Sequence, residues 1–535
     1  MTHGIITAPQ PEAVEAGALV LLDGGNAVDA AIASALVQTV VDPMMCGIAG
    51  FGTLQLYLPG RDHHGYIDFH TTAPYAVRED MWAAEIDSEA RDGFGFILKN
   101  RANEVGYESI MTPGSLKAFY EAIEEFGTMT WADVMQPAID FSGEGFTVSP
   151  AIDEFWDRSG GMGRMPMDEK LRNNKAARDI FLDEHGNTPP IGTRIRNLDM
   201  QRTLTRIQAG GSDAFYSGEI AVEINADMKS KGGLVSKQDL RDYRTIRNEP
   251  LWGKYRGWKI ATNQPPGGGV MIIQMLNILE EFDLGSMGHN SPAYIATVAE
   301  AMKHATIDKD AKVGDPLFRD VPIEQLTDLN YAAAIAQRIK KGERAKVVRY
   351  GEMKESEDTT HVAVMDQYGN AVSMTHSLGM PSGVVTEGMG FMYNGCMGVF
   401  DPRPGMPGSI APGKRRFTGM CPTIVFDGNE PYVVLGAPGG TNITMGVLQS
   451  ILNVLDFGMS MQEAVSAPRF TSNSNAIDVT NRIPRYVTKD LENMGYEVIR
   501  SPFSYGFAGV HGIRIVDGVW DGGADPGRDG MTLSV

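Results

Sequence analysis

The sequence contains very little cysteine, and this scarcity excludes two ways of stabilising a fold. Cys46, Cys396 and Cys421 are the three cysteines among 535 residues. An odd set with no CxxC pair and no Cys/His ligand spacing argues against a disulfide framework and against a zinc site. We therefore expect reduced thiols and a site without a metal.

Two further absences narrow the class of protein. No window approaches the length of apolar sequence that spans a membrane, and the N-terminal residues lack the basic and apolar segments of a signal peptide. The triple glycine at 267–269 is not followed by the Lys-Ser/Thr pair of a phosphate-binding loop, and we find no dinucleotide fingerprint. We expect a cytoplasmic protein that uses no cofactor.

Positive charge is also scarce. Lys and Arg number 47 against 67 Asp and Glu, which gives a formal net charge of −20. This balance disfavours nucleic acid and membranes as partners and suits a soluble protein. A chain of 535 residues has room for two domains or for one large multilayered unit with an ample core.

The pattern of apolar residues changes at residue 359. Before it, helical spacing predicts helices at 13–22, 27–41, 114–126, 200–208, 217–231, 270–281 and 292–309. After it, short β-branched runs predict strands at 361–365, 371–375, 423–426, 432–435 and 512–516, with a helix at 445–455. Interleaved strands and helices of this kind suggest an α/β sandwich.

The first two of these strands form a predicted hairpin. The turn sequence Gln367-Tyr368-Gly369-Asn370 joins them, and residues of this type favour a tight connection. With the turn centred within the 368–369 pair, antiparallel counting places Thr359 opposite Leu378 and beside Ser377. The Ser377 hydroxyl could then orient Thr359, although a small polar residue that ends a strand is an equally good interpretation.

A charged segment lies directly before Thr359. Residues 340–358, KKGERAKVV and then, after Arg-Tyr, GEMKESED, are polar and poor in residues suited to a core. Composition alone favours a solvated linker over a processing site. By the same standard, Thr359 is simply a β-branched residue that begins a strand.

Motifs along almost the whole chain change this interpretation. The sequence DTTHVAV at 358–364 resembles the start of the γ-glutamyltransferase small subunit, and GGNAVDAA at 24–31 resembles the opening of the large subunit. Further segments match this family in the same order, at 68–69, 72–74, 113–114, 136–138, 213–216, 232–234, 255–257, 314–316, 420–424, 436–440, 467–470 and 524–526. By this resemblance the chain is identified as a member of the family.

The resemblance implies the N-terminal nucleophile hydrolase fold, an α/β sandwich in which two stacked sheets are covered by helices (αββα). It also implies a precursor cut into a large subunit, residues 1–358, mainly helical with part of the central sheets, and a small subunit, residues 359–535. The Thr359 hydroxyl would attack the carbonyl of Asp358, and hydrolysis of the ester would leave Thr359 as a new N-terminus. One residue then supplies nucleophile and base, because an α-amine has an unperturbed pKa of about 7.7–8.0.

Gly439 and Gly440 lie between the predicted strand 432–435 and a helix beginning near Asn442. Glycines at such a junction ordinarily serve backbone conformation. In the family the matching residues form the oxyanion hole, where N–H groups near a helix N-terminus stabilise negative charge on the acyl oxygen. We favour this second interpretation. A hydroxyl residue at the position of Ser377 is also a family feature.

The residues that hold the glutamate group in glutathione-cleaving members are largely replaced. An Arg and a Ser pair normally bind the α-carboxylate, and Asn, Gln and Asp receive the α-amine. The matching residues here are, in that order, His70, Thr418, Gly419, Gly379, Cys396 and Val399. A carboxylate needs a cation or several donors and an ammonium needs acceptors, so we expect a pocket less specific for a zwitterion.

Arg416 stands where the family usually has Pro. The run Lys414-Arg415-Arg416 is a candidate for a substitute anion site. The sequence nevertheless favours a solvated cluster in a loop.

Our first hypothesis is a self-cleaving amide hydrolase or acyltransferase. It would form an acyl ester on Thr359 from a small γ-glutamyl or related amide and pass the acyl group to water or an amine. The alternative within the family is a diverged acylase acting on other amides, such as cephalosporin side chains or oxamate. A binding protein that has kept the fold without the reaction is a further alternative, and the retained Thr359, Ser377 and glycine pair argue against it.

Overall fold

The computed structural model describes residues 3–158, 164–350, 359–502 and 507–535. Asp358, on the large-subunit side of the predicted cleavage point, lies outside the described residues. Helices occupy α1 Pro11–Leu22, α2 Ala27–Val41, α3 Ser115–Phe126, α4 Trp131–Glu144, α5 Pro150–Arg158, α6 Met167–Arg172, α7 Lys175–Phe181, α8 Leu198–Tyr216, α9 Glu219–Lys231, α10 Lys237–Asp242, α11 Gly269–Leu279, α12 Leu284–Met287, α13 Pro292–Lys312, α14 Ile323–Leu326, α15 Leu329–Lys340, α16 Ile443–Leu455, α17 Met461–Ser466 and α18 Arg485–Asn493. Within the described ranges, no helix combines the length and apolar character needed to cross a bilayer.

Strands occupy β1 Gly4–Ala8, β2 Phe51–Leu58, β3 His63–Phe69, β4 Ile86–Glu89, β5 Phe96–Leu98, β6 Phe146–Thr147, β7 Arg194–Ile195, β8 Ile246–Asn248, β9 Leu251–Tyr255, β10 Trp258–Thr262, β11 Thr360–Asp366, β12 Ala371–Ser377, β13 Thr423–Asp427, β14 Glu430–Gly436, β15 Phe470–Thr471, β16 Ile477–Thr480, β17 Val498–Ser501, β18 His511–Val516, β19 Val519–Ala524 and β20 Met531–Ser534. Two large antiparallel sheets form the centre, with strand orders β20-β1-β11-β12-β2-β3-β8 and β19-β18-β14-β13-β10-β9. Strands from before and after residue 359 are neighbours in both sheets.

Apolar layers lie between and outside the two sheets. Alternate residues of a strand face opposite sides, so Ala363 enters the layer between the sheets while Val362 and Val364 face the helices that include α1 to α4. On the other side, Val425 and Leu435 pack with α11, α13 and α16. This helix–sheet–sheet–helix arrangement confirms the predicted αββα sandwich.

Helix α2 connects the hairpin turn to the region around Thr359. The side chain of Asn26 caps it and accepts the N–H groups of Val28 and Asp29 at 2.8 and 3.0 Å. The first residue of the helix donates its N–H to Asp366, beside the turn, at 2.9 Å. The helix is buried along its whole length. Its far end therefore carries Asp42 to the cavity in which Thr359 lies.

Many predicted elements are present with slightly different ends. The predicted helix 27–41 has the bounds of α2, the helix 445–455 corresponds to α16, and the strand 432–435 corresponds to β14. The prediction placed no strands before residue 359, and there it missed β1, β2, β3, β9 and β10, which contribute to both sheets.

The predicted hairpin register is wrong by one residue. The pairing observed between β11 and β12, extended by one position, places Thr359 opposite Ser377 rather than opposite Leu378. The physical reason is a connection of three residues, 367–369, whose glycine has a φ of 77°. An odd number of connecting residues moves every cross-strand partner by one position relative to a two-residue turn.

Candidate active site

Thr359 immediately precedes β11 and borders a cavity. Its side chain and backbone together are 3% exposed. The cavity has a volume of about 450 Å³ and is also lined by Gln10, Asp42, Pro438 and Arg528. Thr359 therefore lies at a point where the end of the first sheet meets the chain segment that follows β14.

Ser377 is the last residue of β12 and is fully buried. Its Oγ accepts the N–H of Gly379 at 2.7 Å. Residues directly opposite each other in an antiparallel pair project from the same face, so the side chains of Thr359 and Ser377 belong to one face of the hairpin. That Ser377 orients Thr359 stays a prediction.

The glycine turn, residues 439–442, connects β14 to α16. Gly439 and Gly440 have φ values of 138° and 55°, which residues with a side chain rarely adopt. A Cβ atom on Gly439 would also lie 2.7 Å from Cα of Ala508. The turn thus needs glycine for conformation and for space, and it presents backbone N–H groups at the N-terminus of a buried helix.

Asp42 is the buried carboxylate of the cavity around Thr359. Gln10 Nε2 donates to Asp42 Oδ2, and Gln38 Nε2 in turn donates to Gln10 Oε1 at 3.0 Å. Burial raises the pKa of Asp42 to about 7, although Arg528 and Gln10 act to lower it. The carboxyl group therefore changes charge near neutral pH.

The histidines of the hairpin are held in neutral form. His361 Nδ1 lies 2.9 Å from Thr375 Oγ1, and His376 Nε2 lies 2.8 Å from Gln38 Oε1. Burial lowers the pKa of each to about 3. Neither is suited to accept the proton of Thr359 near neutral pH, which favours the α-amine as the base. In the part of the chain that the structure describes, no three His, Cys, Asp or Glu side chains are grouped as metal ligands.

Gly379 and Cys396, two of the residues predicted to replace amine-binding side chains, both contact Arg416. A Cβ atom on Gly379 would lie 2.7 Å from both Arg416 Nη2 and Cys396 Sγ. The guanidinium therefore fills the space into which a longer side chain at residue 379 would extend. Phe51 completes this group, with its ring centre 4.5 Å from Arg416 Cζ. We call these four residues the Arg416 cluster.

Arg416 is 2% exposed. Its Nη1 donates to the carbonyl of Phe417 at 2.9 Å and its Nη2 contacts Cys396 Sγ at 3.6 Å. Its Nε is buried without a hydrogen-bond partner among the described residues. Burial raises the pKa of the Cys396 thiol, although Arg416 lowers it, so the thiol stays neutral. None of these contacts is a carboxylate.

His70 ends a network of charged groups. Its Nδ1 pairs with Asp68, while its Nε2 is buried without a partner among the described residues. Arg415 reaches Asp68 at 2.6 Å and Asp315 at 2.6 Å. Burial acts to raise the pKa of Asp68, but His70 and Arg415 bring it down to about 2. Arg415 is therefore committed to two carboxylates.

The remaining predicted binding residues lie at two different places. Gly419 packs against the glycine turn, since a Cβ atom there would be 2.4 Å from the carbonyl oxygen of Gly440. Thr418 Oγ1 accepts the N–H of Met420 at 3.3 Å. Val399 instead lines a second cavity of about 450 Å³. Thus Gly419 adjoins the glycine turn, whereas Thr359 and Val399 line different cavities.

The preference for a solvated cluster at 414–416 is wrong. Lys414, Arg415 and Arg416 are 6%, 5% and 2% exposed. Lys414 Nζ donates to the carbonyls of Pro407 and Ser409 at 3.1 and 2.7 Å. The physical reason is that the fold supplies contacts for each cation: backbone carbonyls for Lys414, two carboxylates for Arg415, and a carbonyl and the Phe51 ring for Arg416. Sequence reasoning did not single out Asp42 or Gln10, although Asp42 follows the apolar run of α2 directly and could have been noticed there.

Comparisons with known proteins agree with this architecture. The gamma-glutamyltranspeptidase profile matches residues 13–535. The acylase ACY 1 proenzyme of Pseudomonas sp. (strain SE83) is 38% identical over 543 residues, covering 100% of this chain and 94% of that protein. The glutathione hydrolase proenzyme of Escherichia coli (strain K12) is 33% identical over 485 residues, covering 88% and 80%.

A solved structure has the same fold. The cephalosporin acylase from Bacillus halodurans superposes with a TM-score of 0.88 at 27% identity, covering 99% of this chain and 96% of that one. The profile match spans nearly the whole sequence, and similar proteins exceed 30% identity over most of it. The chain belongs to the γ-glutamyltranspeptidase family, a family of N-terminal nucleophile hydrolases.

Proposed function

We propose that this protein cleaves itself between Asp358 and Thr359, giving subunits 1–358 and 359–535, and then hydrolyses an amide through Thr359. The Thr359 hydroxyl adds to the amide carbonyl while its proton passes to the α-amine. The tetrahedral intermediate expels the substrate amine, which takes that proton. Water, or a second amine, then releases the acyl group from the threonine ester. The position of Thr359 beside a cavity and opposite Ser377 supports this mechanism.

Backbone donors would stabilise the intermediate. The N–H groups of the glycine turn, which adjoins Gly419, suit the developing oxyanion. Pro438, directly before the turn, lines the same cavity as Thr359. The nucleophile and the residue that directly precedes the candidate donors therefore border one space.

We further propose that the preferred acyl group carries a terminal carboxylate and lacks an α-amine. The observation that carries this is the buried guanidinium of Arg416, which fills the space beside Gly379 and has no carboxylate partner among its described contacts. Gly379 offers no side-chain acceptor for an ammonium group. Two similar proteins are named as acylases, one of them a cephalosporin acylase, which supports an acyl group other than γ-glutamyl.

Three anilides that differ in one group each test this proposal. Glutaryl anilide has the carboxylate, γ-glutamyl anilide adds the α-amine, and valeryl anilide has neither. We expect kcat/KM to be highest for glutaryl anilide and roughly tenfold or more lower for valeryl anilide, because a hydrogen bond to a charged group contributes about 1.5–3 kcal/mol. A clear preference for γ-glutamyl anilide would instead assign the protein to glutathione-type chemistry.

A further inference from the structure

The segment before the proposed cleavage point is firmly bound to the rest of the protein. We call residues 344–350 the tail segment. Its backbone and side chains make hydrogen bonds to four separate places, namely Arg344 to the carbonyl of Gly495 at 2.6 Å, Ala345 to Glu300 at 2.7 Å, Val347 to Asn475 at 2.9 Å and Tyr350 to Glu89 at 2.7 Å. None of these contacts requires the chain to be continuous between the tail segment and Thr359, so they can persist after cleavage.

Arg349 is the central contact of the tail segment. Its side chain is 8% exposed, and its Nη1 pairs with Asp310. Its Nε donates to the carbonyl of Arg91 at 3.2 Å and its Nη2 donates to the carbonyl of Asn473 at 2.8 Å. One guanidinium therefore fixes two loops that are distant in sequence.

Both loops hold the glycine turn. In the support loop, residues 91–94, Asp92 Oδ2 accepts the hydroxyl of Thr441 at 2.7 Å, and its Oδ1 accepts the N–H of Phe94 at 3.0 Å. In the second loop, Asn473 Nδ2 donates to Asn442 Oδ1. The two polar side chains of the glycine turn are thus anchored to loops that Arg349 clamps.

We propose that Arg349 is a positioning residue for the glycine turn and that its side chain stays docked on the two loops after cleavage. The inference rests on the proposed function of the turn as the oxyanion-binding element. If the backbone N–H donors of the turn are slightly displaced, the substrate still binds nearly as well, but the transition state is stabilised less. Arg349 therefore acts on kcat more than on KM.

The test compares Arg349→Met with Arg344→Met, purified as the cleaved form, in kcat and KM for glutaryl anilide. Arg344 anchors the same tail segment at Gly495 and touches neither loop, so it is a matched control. We expect Arg349→Met to lower kcat roughly 10- to 100-fold with KM changed less than about twofold, and Arg344→Met to retain wild-type kcat. Equal losses in both variants would overturn the assignment to Arg349.

A second variant keeps the test decisive if Arg349→Met does not fold or cleave. Thr441→Val removes only the hydroxyl that Asp92 accepts, and we expect the same fall in kcat at constant KM. Binding of pentylboronic acid, which forms a tetrahedral adduct, should weaken in parallel in both variants. If the wild type is active and Arg349→Met has unchanged kcat, this inference alone is overturned. The same holds for Thr441→Val where that variant replaces Arg349→Met. A cleaved wild type that hydrolyses no amide would overturn the proposed function and this inference together.

Discussion

At the nucleophile end of the proposed site, strand pairing and turn conformation place Thr359 and the glycine turn. At the proposed acyl-binding end, the Arg416 guanidinium fills the space beside Gly379 and contacts Cys396. The first end keeps every residue type expected from the family resemblance. The second end has exchanged them.

This comparison distinguishes the residues proposed for the reaction, which are retained, from those proposed for substrate recognition, which are changed. Backbone geometry tolerates few substitutions, because Gly439 needs its φ and its space. A pocket built from side chains can be rebuilt by compensating changes, in which a longer residue at 416 occupies the volume vacated at 379. One scaffold can therefore retain its chemistry while its acyl preference changes.

The largest expected effect tests the nucleophile end. Thr359→Ala should abolish both self-cleavage and amide hydrolysis, because no hydroxyl is left to form the ester. Thr359→Ser should retain part of each. Denaturing gels, N-terminal sequencing and initial rates provide the measurement. Cleavage or turnover at wild-type level in the alanine variant would show that another residue is the nucleophile.

The next effect tests the acyl-binding end. Arg416→Met should lower kcat/KM for glutaryl anilide roughly 10- to 150-fold, the equivalent of a charged hydrogen bond of about 1.5–3 kcal/mol. Valeryl anilide has no carboxylate and serves as the internal control, so its kcat/KM should change little. The same loss for both substrates would mean that the variant has disturbed the pocket generally and that Arg416 does not bind the carboxylate.

A smaller effect concerns Asp42, whose pKa burial raises to about 7. The folded protein holds this proton at pH values where the unfolded chain has already released it, so stability should fall as pH rises from about 4 to about 7. Asp42→Asn should remove this pH dependence. As pH rises from 5 to 8, the free energy of unfolding of the variant should increase relative to that of wild type by on the order of 2 kcal/mol.

Thermal unfolding of both proteins in the uncut Thr359→Ala background provides the measurement. If the difference in stability between the two proteins is the same at pH 5 and at pH 8, the assignment of this proton to Asp42 is contradicted.

The smallest expected effect concerns Thr360 and distinguishes its role from that of Thr359. Thr360 Oγ1 accepts Gln38 Nε2 at 3.0 Å on the helix side of β11, away from the face that carries Thr359. Thr360→Val should cost about 1 kcal/mol of stability and leave kcat near wild type, because Gln38 keeps other acceptors. Thr360→Ser should restore the melting temperature. A large fall in kcat would assign Thr360 a part in the reaction.

Eight of the eighteen helices in the described residues were predicted from the sequence, among them α2, α11 and α16, which carry continuous apolar patterns. Strands β1 and β2 were not predicted; each pairs with a strand more than 300 residues away, which a local pattern does not reveal. The hairpin was predicted, but its register depended on a left-handed glycine that composition does not reveal.

For the site, the resemblance supplied Thr359 and the glycine turn, and their roles in the reaction stay predictions. Burial of Arg416 was beyond sequence reasoning, because three consecutive cations ordinarily face solvent. Asp92 and Arg349 were missed as well. Their connection to the turn is made by contacts between loops that no local pattern encodes.

The alternation of strands from the two sides of residue 359 has a consequence for handling the mature protein. Cutting the chain at the proposed point would turn one polymer into two that remain interlaced, since β11 and β12 lie between β1 and β2. Their separation would require whole backbone ladders to break, so dissociation by dilution should be negligible. Once denatured, however, the two pieces must find each other, and refolding becomes a second-order process that slows as concentration falls. The cut thus makes assembly a one-time event that only the intact precursor performs efficiently.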